Sequence, residues 1–151
     1  MTNKYISSTA FIFAIVVSAF LSPLNKYFLP NFLFHLFPQI VTLLLFIFLR
    51  AKPQIISACS FSFTIFLLFY GLWVESLPHY EGFEWLGYDL SIPGGVIGTI
   101  IIFVYYNFFK PQQNNSIVFI CSFLIISLGL TVNCFIVFNT VMHGPLTITK
   151  I

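Results

Sequence analysis

Charge is what this chain has least of. Six Lys and Arg and four Asp and Glu, 7% of 151 residues, are all it carries, against about 25% in an ordinary soluble domain. None of the ten lies inside the five long apolar runs, and all four acids, Glu75, Glu81, Glu84 and Asp89, crowd into one gap. An ionised side chain at the centre of a membrane helix costs about 2.5 to 3.5 kcal/mol on insertion scales. A chain that has cleared its runs of charge therefore has the lipid bilayer as its solvent. Pairable cysteine is also lacking: Cys59, Cys121 and Cys134 stand singly in apolar runs, with no CxxC and no metal-ligand spacing, and read as small buried apolar residues. No serine, histidine and acid constellation, phosphate loop or haem motif is present, so no cofactor is expected. A net charge of +2, scattered along the chain, excludes a nucleic-acid surface.

What is there is apolar: 59% hydrophobic and 20% aromatic residues. A spanning segment must satisfy its own backbone hydrogen bonds, which leaves helices or a closed barrel. A barrel needs strands alternating between lipid-facing and lumen-facing residues. Residues 40–49 and 96–104 do not alternate. The fold class expected is an all-α integral membrane protein, one domain over residues 1–151, built as a compact bundle of five transmembrane helices. These are placed at about 5–22, 32–49, 55–74, 92–109 and 116–139. The first, about 27 Å long at the helical rise, matches the hydrocarbon thickness. Lys4 before it and Val17-Ser18-Ala19 within it also suit a cleaved signal peptide, which would leave four helices. Pro38 predicts a kink in the second helix, and the Arg50-Ala-Lys52-Pro53 link predicts an antiparallel hairpin. Residues 75–91, with Pro78, Gly82 and Gly87, are expected to form a loop without a useful helix.

Lys4, Arg50, Lys52 and Lys110 share one side of this topology, and Lys26 and Lys150 the other. The positive-inside rule then puts the N-terminus in the cytoplasm and the C-terminus and the acidic loop outside, in a bacterial cytoplasmic (inner) membrane. Trp73, Trp85, Tyr70, Tyr80 and Tyr88 gather at the outer boundary, where amphipathic rings favour the headgroup region.

Three groups of residues break the apolar pattern. Small residues recur at four-residue spacing, Ala10, Ala14, Ser18 and Ser22 in the first helix and Gly94 and Gly98 in the fourth. They offer seams for close helix approach, favoured here as packing within the bundle over a partner surface. His35, Gln39 and Thr42 fall on one face of the second helix, and with Glu75 and Asn133 they permit an outward-opening polar pocket. The competing interpretation is hydrogen-bonded glue between helices. The outer loop presents His79, Glu81, Phe83, Glu84, Trp85 and Asp89, whose acids and aromatics suit a partner contact. His79-Tyr-Glu81 matches no metal-ligand spacing, so no metal is expected.

The leading expectation is a non-enzymatic multi-pass protein acting through protein interaction, as an accessory subunit or an immunity-type protein, with a membrane protein or a second copy as partner. The alternative is a small oligomeric transporter or lipid-handling protein using the polar pocket. Acid/base chemistry by His35 and Glu75 ranks third, since neither nucleophile nor metal accompanies them.

Overall fold

The computed structural model describes residues 3–77, 84–109 and 114–142. Among them are five α-helices and no strand: α1 (Asn3–Phe20), α2 (Phe28–Phe48), α3 (Pro53–Glu75), α4 (Glu84–Phe108) and α5 (Asn115–Val137). A π-helical turn, Phe138–Met142, extends α5. The chain is an all-α bundle with multi-pass membrane character: α2, α3, α4 and α5 are each long and apolar enough to cross a bilayer. The apolar stretch of α1 among the described residues is shorter, Ser8–Phe20. That helix stops before Ser22, because the residue preceding a proline, here Pro23, is pushed out of the helical region.

The bundle is built around α3, which packs against all four other helices. The most extensive single contact is α4 on α5, and α2 on α4 is among the slightest. Leu21 at the end of α1 and Trp85 at the start of α4 close over Gly71 near the end of α3, and Phe138 packs on Tyr70. These contacts gather the C-terminal ends of α1, α3 and α5 with the N-terminal ends of α2 and α4; we call this the upper end. At the lower end Ile55, Ile102, Tyr106 and Val118 form a separate buried cluster. Large apolar side chains point outward along α2 and α5, among them Phe37, Phe48, Leu128 and Phe135, which is the side a bilayer would solvate.

Two element boundaries depart from expectation. α2 starts at Phe28 rather than near 32, because Asn25 forms a turn by accepting from the Tyr27 amide at 2.8 Å and Pro30 falls in the first helical turn, where a missing N–H leaves nothing unsatisfied. The larger correction concerns residues 75–91. From Glu84 onward they are helical, so Glu84, Trp85 and Asp89 stand on α4 and not on a loop. Gly87 disguised this helix in the sequence, and Pro93 lies inside it. Both are accommodated: Gly87 leaves room for the Tyr70 hydroxyl where a Cβ would sit, and Pro93 forgoes one backbone hydrogen bond inside α4.

Buried hydroxyls are handled locally. Ser22, Thr42, Ser57, Thr64, Ser91, Thr99 and Ser122 each donate to the carbonyl four residues earlier, the usual way a helix carries serine and threonine without exposing an unpaired donor. At the lower end, Arg50 adopts a left-handed conformation (φ 54°). The amides of Arg50 and Ala51 reach back to the carbonyls of Ile47 and Phe46 at 3.0 and 2.9 Å, a Schellman cap that ends α2 so that α3 can turn back, with Pro53 in its first turn.

Candidate functional site

At the upper end the sequence leaves room for a cavity. Ser22-Pro23 ends α1, Asn31 lies in the first turns of α2, and Glu75 ends α3. Together with Phe34, His35, Val74 and Trp85 these residues line a pocket of about 400 Å³, within the size range of small-molecule sites. His35 forms one wall, 3% exposed. Its ring lies 4.4 Å, centroid to centroid, from that of Trp85, and it engages the backbone carbonyl of Ser18. A carbonyl engages only the N–H nitrogen of an imidazole, so in the neutral ring the other nitrogen is a bare acceptor. Nδ1 has no hydrogen-bond partner.

One turn deeper, Gln39 is 1% exposed. Its Oε1 shares the single Thr64 hydroxyl proton on α3, at 3.0 Å, with the Ser60 carbonyl at 2.7 Å. Its side chain also engages the Tyr88 hydroxyl on α4, short of full hydrogen-bond geometry at Gln39 Nε2 and Tyr88 Oη. Ser18 Oγ on α1, Ser60 Oγ on α3 and Asp89 Oδ1 on α4 are likewise buried and unpartnered. Incomplete hydrogen bonding is thus concentrated in the region where α1, α2, α3 and α4 meet. Native cores pair most of their buried polar atoms, and an orphan costs about 1 to 3 kcal/mol.

His35 and Glu75 line the same pocket and Gln39 lies one turn of α2 deeper, while two residues are separated from them. Thr42 is buried one turn below Gln39, bonds to the Pro38 carbonyl at 2.7 Å and lines a different cavity. Asn133 lies across the bundle, where its Nδ2 donates to the Leu90 carbonyl at 2.6 Å. This corrects its expected place in the pocket. The cause is the α4–α5 seam: a Cβ on Gly94 would run into the Gly129 carbonyl, and one on Gly129 into that of Gly94. Backbones this close aim Asn133 at the turn of α4 just before Pro93. Gly98 continues that seam against Ile125 and Ile126. Ala10, Ala14 and Ser18 are fully buried and Ser22 nearly so, on a helix that, equally with α5, packs most extensively against α3. A further polar link, Ser127 to Ser62 at 3.2 Å, joins α5 to α3.

Of the expected partner-contact residues, His79, Glu81 and Phe83 lie outside the described residues, and Glu84 is the first residue of α4. Trp85 roofs the pocket. Asp89 faces a groove between α2 and α4. Among the described residues no three His, Cys, Asp or Glu side chains come together to hold a metal.

Sequence reasoning missed Tyr88, Thr64 and Gly129. Tyr88 was grouped with interfacial aromatics, although Trp85, Tyr88, Ile92, Gly95 and Thr99 repeat at three and four residues once α4 is extended upstream. Gly129 carried no signal beyond being a glycine in an apolar run. The chain matches no family model, no curated protein and no solved structure, so the site's own chemistry must carry any functional assignment.

Proposed function

We propose that this chain is a non-enzymatic membrane protein that takes a small polar molecule or an amphiphile's head into the upper pocket, as a transporter or a lipid-handling protein. The observation that carries this reading is the concentration of unpartnered buried polar atoms around the pocket, with His35 Nδ1 at its wall and Gln39 Nε2 and Tyr88 Oη beneath. Gln39 engages Thr64 and Tyr88 across the helices as glue would, but His35 Nδ1 and Asp89 Oδ1 are left without a partner. A binding site keeps donors and acceptors open for a ligand. The small-residue seams are turned inward, leaving the segment between Glu75 and Trp85 as the support for the accessory-subunit reading.

In the orientation that the basic residues favour, with Arg50 and Lys52 at the lower end facing the cytoplasm, the pocket opens to the extracytoplasmic side. Reporter fusions after residues 52 and 77 test this: the first must report a cytoplasmic position and the second an external one. The functional test is native mass spectrometry of protein extracted gently from its own membrane, with and without His35→Ala. A small molecule bound to the wild type and lost from the variant is the expected result. An empty wild-type protein, or a stoichiometric protein partner whose binding ignores His35, overturns the reading in favour of the accessory subunit.

A further inference from the structure

The pocket has a neighbour. Between α2 and α4, where the two helices barely touch, an open groove of about 680 Å³ runs down the outside of the bundle. Leu33, Phe37, Val41, Ile92 and Val96 wall it, Pro38 and Pro93 face it from the two helices, and its polar groups come from Thr42 and Asp89. Phe34 lines both cavities, so a single aromatic side chain of α2 stands between pocket and groove. The groove lies on helices that meet the length and hydropathy of membrane spans. Its natural filling is an acyl chain.

The polar groups at the junction share a sign. Glu75 on the pocket side has no ion-pair partner among the described residues, and Asp89 on the groove side has a buried Oδ1 without a hydrogen bond. His35, buried in the pocket wall, adds an unpartnered Nδ1 just beneath the surface. All three offer acceptors. The described cation at this end, Lys26, sits over the Tyr27 ring at 4.9 Å and does not line the pocket; Arg50 and Lys52 cap the far end of α2. The indole of Trp85 adds a face that attracts cations. An acceptor-rich, acidic recess beside an aromatic face complements a group that is both positive and a hydrogen-bond donor, and disfavours an anionic head.

We infer that the occupant is a membrane lipid with a primary ammonium head, its ammonium held by Glu75 and His35 beneath Trp85 and one acyl chain lying in the α2–α4 groove past Phe34. This rests on the pocket being a ligand site and names its ligand. Quaternary heads keep the cation–π attraction but have no N–H to give the acceptors. Anionic heads meet the Glu75 carboxylate.

The test uses full-length protein in nanodiscs doped with phosphatidylethanolamine, phosphatidylcholine or phosphatidylglycerol, with bound lipid counted by native mass spectrometry. Glu75 and Val41 are both exposed, so Glu75→Gln and Val41→Trp alter head site and groove without touching the core. Phosphatidylethanolamine is expected to bind about tenfold more tightly than phosphatidylglycerol, as suits a charge-assisted hydrogen bond. Glu75→Gln should abolish that preference and Val41→Trp should lower the affinity for every lipid. Equal binding of the three lipids, or a preference untouched by Glu75→Gln, overturns the inference. A soluble arm separates it from the broader reading: if ethanolamine binds wild type and Val41→Trp alike while no lipid does, the pocket is a ligand site but the lipid assignment is wrong.

Discussion

Replacing Gln39 with leucine distinguishes a residue kept for stability from one kept for binding, and the structure gives the size of each effect. The substitution removes the Thr64 to Gln39 hydrogen bond, and side-chain hydrogen bonds between membrane helices are worth about 0.6 kcal/mol on average and 1.7 at most. Thr64 is not orphaned, because its hydroxyl also lies 2.7 Å from the Ser60 carbonyl. The same substitution eliminates an unpaired amide nitrogen at a position 1% exposed, relieving about 1 to 3 kcal/mol. Leucine is close in volume and fills the site, so little cavity term enters. The balance is a gain of about 0.5 to 2 kcal/mol in fold stability, with loss of whatever the pocket binds. Unfolding in bicelles, followed by steric trapping or by SDS titration, reads the first; native mass spectrometry reads the second. Destabilisation by more than about 1 kcal/mol would show that Gln39 is interhelical glue and that its Nε2 is satisfied in the membrane, which would refute the argument from orphaned polar atoms.

Gly129→Val drives a branched side chain into the Gly94 carbonyl; backbone cannot yield as a side chain can, so α4 and α5 must part, at a cost of at least about 1 to 3 kcal/mol in the same unfolding assay. Arg50→Gly removes a side chain from a left-handed position and is expected to stabilise the α2–α3 corner by about 1 kcal/mol; a neutral or negative change would mean that the arginine makes compensating contacts with the bilayer. Since the chain has two tryptophans, Trp73→Phe leaves Trp85 as the sole indole. Its emission should shift when ligand enters beside His35, and a spectrum indifferent to ligand would place binding elsewhere.

The helical membrane class was legible because charge and hydropathy act over whole segments: no packing arrangement makes a run such as residues 55–74 comfortable in water. α3 and α5 were located to within a few residues for the same reason. α4 was read too short because local breakers are judged one residue at a time, whereas Gly87 is tolerated by what surrounds it, the Tyr70 hydroxyl. The polar face of α2 was visible in the spacing of His35 and Gln39. Its partners were not, since periodicity orders residues within a helix and says nothing about which helix lies opposite. Depth alone allowed Asn133 beside His35; the Gly94 and Gly129 contact turned it to Leu90 instead. Thr64 and Tyr88 became part of the site only when α3 and α4 were brought against α2.

By itself the sequence determined the solvent of this protein, the number of its helices, their approximate limits with α4 excepted, and the face on which α2 carries its polar side chains, because each of these follows from transfer free energy and helical period. Which helices touch was decided by tertiary structure. Small residues let α1 lie on α3 and α5 on α4, while α2 was left leaning on α1 and α3 with a gap toward α4. That gap, and the pocket above it where Glu75, His35 and Trp85 meet, are properties of packing that no single segment encodes.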